Sequence, residues 1–374
     1  VPDETEEPDE TEEPGETEET GETEEPKTPA NSVPTETPAP ENEMELFSDG
    51  SVIYVNANGT EDGDGTQGKP YATLADAVKQ AENGATIYVM SNLVMTESAR
   101  VTNKNITITS YEEQVYTISR GDSFNTAQDG RSWYNPALIE VATTGTSSSV
   151  TLQNITLDDA GKHEGTIFAQ AISGGGEGGT SGNTNYVQDA IIAAYGLNED
   201  SDVQIILEEG AVLQNYGGMS AVRVTEGASL EMKKGSVIQD TDTVSDREKG
   251  AAGSNGPAGA VWLQGGEMVM DNGAEICDMV GRGVYAEGGT VEINGMISDI
   301  TADEAMWGNK AKNYEGTAIY GTGGAEVILG GTIERIQKSE GLDVECFSVI
   351  RMAGLNQLGA FTLNKGGKIQ ECFG

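Results

Sequence analysis

Arg223, Trp262, Tyr285, Tyr320 and Arg351 are the side chains best suited to recognition chemistry, and each holds the same place in a recurring short run. The runs read AVRV from Ala221, AVWL from Ala260, GVYA from Gly283, AIYG from Ala318 and VIRM from Val349. Side chains alternate along a strand, so in the first run Val222 and Val224 point inward and Arg223 points outward. The same register predicts one outward column of Glu140, Ile192, Arg223, Trp262, Tyr285, Tyr320 and Arg351. Aromatic rings stack on the apolar faces of sugars, and the planar guanidinium fork pairs with uronate, sialate or sulfate groups. Against this stands a plainer reading, in which outward aromatics stack on one another and shield the sheet.

Catalytic and metal chemistry find less support. Glycoside hydrolysis needs two carboxyl groups facing the scissile bond, and the column offers only Glu140, far from the aromatic residues. Asp240, Asp278, Asp299 and Glu371 recur at the end of a strand in each repeat, a position that suits hydrogen bonding to turn amides. Catalytic carboxylates would have to come from insertions, with Asp246, Glu248, Asp303 and Glu304 as candidates. Asp62 and Asp64 lie in a turn-rich loop suited to calcium, but the ligand order and terminal Glu of an EF-hand are missing. The sequence points to no cofactor beyond a calcium ion in this loop. The single histidine, His163, stands beside Glu164 with no second histidine or thiol to build a metal site or a triad. Gly174-x-Gly176-x-x-Gly179 matches the dinucleotide fingerprint by letter, without the strand before it or the helix after it that the mechanism requires.

The elements that place the column are legible from the repeats. Each copy runs about 20 residues and holds three short β-patterned runs between glycine turns, the signature of a solenoid. One such rung cannot bury its own apolar face and must stack on a neighbour, which predicts a parallel β-helix over residues 51–374. Upstream, Val52, Ile53 and Val55 open a strand. Thr73 serves as N-cap to a helix with Leu74, Ala77, Val78 and Ala81 on one face, ended by Asn83-Gly84. Such a helix would close the open end of the stack. The runs ATIYVM from Ala85, NITITS from Asn105, ALIEV from Ala137 and VTLQNITLD from Val150 start the coils. Insertions at 160–189, 241–257 and 301–315 all enter after the third strand of a rung, so they should form a wall beside one face.

These repeats, with the opening segment from Tyr54 to Val89, resemble the right-handed parallel β-helix proteins of the pectin-lyase-like superfamily, in particular Gly-rich bacterial surface proteins. The resemblance covers most of the chain after residue 50. It implies an all-β, right-handed parallel β-helix with an N-terminal capping helix, and a substrate groove on the outer face of one sheet, flanked by loops. The superfamily hosts lyases, hydrolases, epimerases, adhesins and inert stalks, so fold alone does not select an activity. Asp158-Asp159 resembles one element of the polygalacturonase pattern. The Asn-x-Asp, Gly-His-Gly and Arg-x-Lys elements are absent. A calcium-dependent lyase could use Arg223 or Arg351 as base, but the column lacks the acidic ligands beside them.

Charge narrows the partners. Of the formal −41, residues 1–50 hold −18, from 19 acidic side chains and Lys27. That stretch repeats E-T-E-E-P, then turns Pro/Thr-rich, and reads as a disordered, extended tether. An acidic surface repels phosphate backbones, which argues against nucleic acid. Cys277, Cys346 and Cys372 are too scattered for a disulfide framework. No apolar run approaches a membrane span, and the absence of an initiator Met or leader suggests a fragment of an exported protein. The resulting expectation is a monomeric, non-catalytic, adhesin-like module, secreted or attached to the wall of a Gram-positive bacterium. It would recognise a glycan or a host or cell-surface protein. A polysaccharide lyase or glycoside hydrolase is the alternative from the enzyme class, and a passive stalk is the third.

Overall fold

The computed structural model describes residues 51–60, 62–122, 124, 137–145, 147–160, 190–217, 220–242, 259–303, 313–354 and 357–374. The chain divides into two units, Val1–Phe47 and Ser48–Gly374, and every described residue belongs to the second. The acidic stretch 1–50 lies outside the described residues, as do His163, Glu164, the glycine triplet, Asp246, Glu248 and Glu304. So do most of the three insertions, and with them the expected wall.

Among the described residues, parallel strands form three long sheets, and Asn313–Tyr314 pairs with Cys346–Phe347 in a separate two-stranded one. The first sheet runs through ten strands from Val52–Thr60 to Ala360–Leu363, and the second through eight from Ala99–Thr102 to Ile350–Met352. The third runs from Leu93–Met95 to Lys368–Gln370. Successive strands visit the sheets in the order first, third, second, and then begin the next turn. One rung is Asp202–Leu207, Ala211–Gln214 and Val222–Thr225, and the next is Ala228–Met232, Val237–Gln239 and Val261–Gln264. They pair in parallel as Ile205↔Leu230, Leu213↔Ile238 and Val224↔Leu263. This is the parallel β-helix expected from the repeats.

Alternation explains the core. Val203, Ile205, Leu207, Leu213, Val222 and Val224 face inward and are fully buried, each such side chain contributing about 1.5–3 kcal/mol by leaving water. The turns explain the glycines. At the corner between first and third sheets, Gly210, Gly235 and Gly273 have φ of 75°, 82° and 85°, a left-handed conformation that costs other residues energy. At the corner between third and second sheets the same conformation falls on Asn215, Asp240, Asp278, Asp299, Arg335 and Glu371, with φ between 49° and 56°. The recurring acids noticed in the sequence are therefore turn residues, the first four being types that tolerate this region.

The helix spans Leu74–Gln80. Thr73 Oγ1 accepts from the Asp76 amide at 3.0 Å and donates to Asp76 Oδ2 at 2.7 Å. The helix ends before the expected Asn83-Gly84, because Ala81 turns to ψ 132°. Lys104 Nζ donates to the carbonyls of Val78 and Ala81 at 2.8 Å each, satisfying acceptors that the helix end leaves open. Leu74, Ala77 and Val78 are buried where the helix packs on strands Ala99–Thr102 and Val52–Thr60. No helix among the described residues is long and apolar enough to cross a membrane.

Two buried cations, neither anticipated, secure the rungs. Arg120 Nε meets Asp159 Oδ1 at 2.6 Å, its Nη2 donates to the Ala190 carbonyl at 2.9 Å, and its guanidinium lies 4.2 Å from the Phe124 ring centre. Residues 161–189 leave after Ala160 and return at Ala190, so Arg120 ties both ends of that excursion. Arg282 Nε donates to the Gly316 carbonyl at 3.0 Å and its Nη2 to that of Glu315 at 3.3 Å.

Candidate functional site

The outer face of the second sheet gathers the predicted recognition residues. Its strands are Ala99–Thr102, Ile139–Ala142, Ile192–Tyr195, Val222–Thr225, Val261–Gln264, Val284–Glu287, Ile319–Thr322 and Ile350–Met352. Pairing aligns Arg100, Glu140, Ala193, Arg223, Trp262, Tyr285, Tyr320 and Arg351 in a single column. One member differs from expectation. Ile192 pairs with Val222 and is buried in the core, and Ala193 takes the outward place.

The column divides into three parts. At one end Arg100 Nε lies 3.1 Å from Glu140 Oε2, so that carboxylate is committed to a neighbour. In the middle, Arg223 directs Nε and Nη2 to Gln264 Oε1 at 2.8 and 2.6 Å, and its guanidinium stands 4.9 Å from the Trp262 ring and 5.7 Å from Tyr195. Beyond it, Tyr285 and Tyr320 stack with centroids 5.4 Å apart and planes 6° from parallel. Arg282 sits 5.3 Å from the first ring and 4.8 Å from the second. Arg351 closes the column, its Nη1 3.3 Å from Glu315 Oε1.

The column is less open than the alternation suggests. Trp262 is 2% exposed and Tyr285 6%, yet both belong to a cluster separate from the main core, with Tyr320 packed against it. They lie on the outer face as expected, but covered. An exposed aromatic strip is therefore corrected to a buried pair flanked by half-buried Arg223 and Tyr320 and exposed Arg351. Burial has chemical consequences. It pushes the Tyr285 phenol up to about 12, reinforced by Glu287 and Tyr320 and opposed by Arg282, and it lowers Arg223 from the ordinary guanidinium value. The indole Nε1 of Trp262 is buried and meets no acceptor among the described residues.

Several residues of this site escaped the sequence reading: Arg282, Gln264, Glu287 and Glu315. Arg282 left a signal. The equivalent positions in the other repeats are Ser220, Gly259, Thr317 and Ser348, so a guanidinium among small residues marks a special contact. Glu287 follows Tyr285 by two residues, which puts it on the same outer face one step along the strand.

Asp62 and Asp64, the candidate calcium ligands, each engage neighbours within the loop. Lys69 Nζ lies 3.1 Å from Asp62 Oδ2, while Asp64 Oδ1 accepts from the amide and hydroxyl of Thr66 at 3.0 and 2.7 Å. The hydrogen bonds from Thr60 and Lys69 hold the Asp62 carboxyl below its usual range, and those from Thr66 do the same for Asp64. Both carboxylates thus serve the turn. Among the described residues, no group of three or more His, Cys, Asp or Glu is placed to hold a metal ion. Asp303, the one described insertion acid among the catalytic candidates, accepts from Ser339 Oγ at 2.5 Å.

No family model matches the chain, and no curated protein matches it. Solved structures with some likeness include two crystal structures of a GH136 lacto-N-biosidase from Eubacterium ramulus. The selenomethionine derivative is 12% identical with a TM-score of 0.30, covering 86% of this chain and 68% of that one. The native protein is 11% identical with a TM-score of 0.29, covering 84% and 68%. A rhamnogalacturonan lyase is 9% identical with a TM-score of 0.21, covering 86% and 89%. Likeness of this size leaves the chemistry to be argued from the chain's own residues.

Proposed function

We propose that the folded unit recognises carbohydrate on the outer face of the second sheet, along the strip from Arg223 to Arg351. The supporting observation is the guanidinium and aromatic column, whose Trp262 and Tyr285 form a cluster separate from the main core with Arg223 and Arg282 against the rings. Trp262 and Tyr285 act as the packed base of the strip. Tyr320, Arg351 and the exposed Glu287 make the contact. The protein in this reading is an exported, adhesin-like module. A glycan array compares wild type with Tyr320→Ala, Arg351→Ala and the double variant Trp262→Ala, Tyr285→Ala. Wild type is expected to select one glycan class, and Tyr320→Ala to weaken it about tenfold, some 1.4 kcal/mol. A wild-type chain that selects nothing would leave only the stalk.

A second reading, a glycoside hydrolase or polysaccharide lyase, draws on one observation. Glu287 and Glu315 border the same tyrosine pair: Glu287 raises the Tyr285 pKa, and the Glu315 backbone holds the Arg282 that covers both rings. Hydrolysis requires two carboxyl groups about one sugar. New reducing ends, or unsaturated uronate absorbance, that vanish in Glu287→Gln and Glu315→Gln would select this reading over simple binding.

A further inference from the structure

The first sheet carries a second outward face unlike the rest of the molecule. In its first four strands, Val52–Thr60, Ala85–Val89, Asn105–Ser110 and Ser147–Gln153, every outward position that pairs across the sheet is uncharged. The register aligns Thr86, Thr107 and Thr151 in one row and Tyr54, Tyr88 and Thr109 in the next. All six are half-buried, as expected of a sheet surface open to solvent on one side. Charge returns from the fifth strand onward, at Asp202, Glu231, Glu267 and Glu292. On a chain of net charge −41, a contiguous uncharged face is a departure in composition.

One end of this face is aromatic. Tyr54 and Tyr88 stack with centroids 5.6 Å apart, and Tyr111 meets them edge-on at 5.6 and 5.8 Å. The Tyr111 hydroxyl accepts from Gln67 Nε2 at 2.7 Å, so the turn-rich loop fixes the third ring. Outward from this block run threonine and serine hydroxyls at the rung spacing of about 4.8 Å. Rings supply apolar area and hydroxyls supply both donors and acceptors, with no fixed charge to select an ionic partner. An acidic glycan would gain nothing here and would be repelled by the carboxylates around the face.

We propose that this face is a second carbohydrate site, taking an extended, uncharged β-linked glucan that lies over the tyrosine block and along the hydroxyl rows. A flat array of strands matches a ribbon-like chain, and the interaction depends on ring contact and hydrogen bonds alone. It does not rest on the strip from Arg223 to Arg351.

The test is depletion of the full chain from solution by amorphous cellulose. Wild type is expected to adsorb equally at low and high salt, since no ion pair is involved. Tyr88→Ala and Thr107→Glu should each weaken adsorption about tenfold, and Tyr320→Ala should leave it unchanged. If Tyr88→Ala unfolds, Thr107→Glu carries the test, because it adds charge at an open strand position without removing a packed ring. No adsorption by wild type, or equal adsorption by wild type and a folded Thr107→Glu, overturns the proposal. Adsorption abolished by Tyr320→Ala alone also overturns it, while leaving the second-sheet reading in place.

Discussion

A guanidinium taken out of water costs several kcal/mol unless its surroundings replace the lost hydration. Arg120 and Arg282 meet that requirement differently. Arg120 meets a carboxylate, a carbonyl and a ring face among its partners, and Arg282 two carbonyls and two tyrosine rings among its own. Removing one partner is worse than removing both. Arg120→Met should destabilise the folded unit by about 3–5 kcal/mol, because buried Asp159 loses the guanidinium 2.6 Å away. Arg120→Met with Asp159→Leu should recover most of that loss in urea unfolding, and a double variant no better than the single would deny the pair this role. Sequence alone located Trp262 and Tyr285 on the outer face but not under cover. Alternation fixes the side to which a residue points, and what lies over that side is settled by distant parts of the chain.

At the scale of the strand and turn, legibility follows the pattern. Where inward Val and Ile alternate with polar residues, as in Val222–Thr225, the register reads directly. In Ala190-Ile-Ile-Ala-Ala every residue is apolar, alternation vanishes, and only the pairing Ile192↔Val222 fixes the phase. The turn ladder was visible as recurring acids, and its purpose is the left-handed backbone of each corner. Asp240, Asp278 and Asp299 occupy consecutive rungs there, followed by Arg335. Asn tolerates the same conformation without like-charge repulsion, so Asp278→Asn should raise Tm by about 1–3 °C while Asp278→Ala lowers it. Asp299 behaves differently. Arg335 Nε and Nη2 reach its two carboxylate oxygens at 2.7 Å each, and these hydrogen bonds hold its carboxyl below the ordinary value. A carboxylate lowered on folding adds stability above its unfolded pKa of about 3.9, and that stability is lost as pH falls through the lower folded value. Wild type should therefore lose Tm below about pH 4 more steeply than Asp299→Asn. The pair is partly exposed, so high salt should shrink the difference.

Across the whole solenoid, stability is a chain of nearest-neighbour contacts, and the two ends of the folded unit are unequal. The helix Leu74–Gln80 buries its apolar face on the first rungs. At the other end of the described residues the inward positions of Ala360–Leu363 and Lys368–Gln370 are exposed. Leu363 is 54% exposed while its partner Leu329 in the rung below is fully buried. Ile369 and Phe361 are exposed in the same way above buried Ile333 and Val327. A rung whose inward side chains are exposed has less buried contact to lose than one buried on both sides, so within residues 51–374 opening should begin there. Native-state hydrogen exchange should show amides of Ala360–Leu363 and Lys368–Gln370 protected at least about 100-fold less than those of Asp202–Leu207, with protection rising inward rung by rung. Equal protection throughout would mean that the rungs open as one cooperative body, and the nearest-neighbour account would fail. The exchange gradient also bears on function. The second-sheet strip ends at Arg351, in the rung beneath Ala360–Leu363 and Lys368–Gln370, while the tyrosine block of the first sheet lies in the first rungs, near the strands on which the helix Leu74–Gln80 packs. Ligand bound at Arg351 should slow exchange in Ile350–Met352, and ligand bound at Tyr54 and Tyr88 should leave it unchanged.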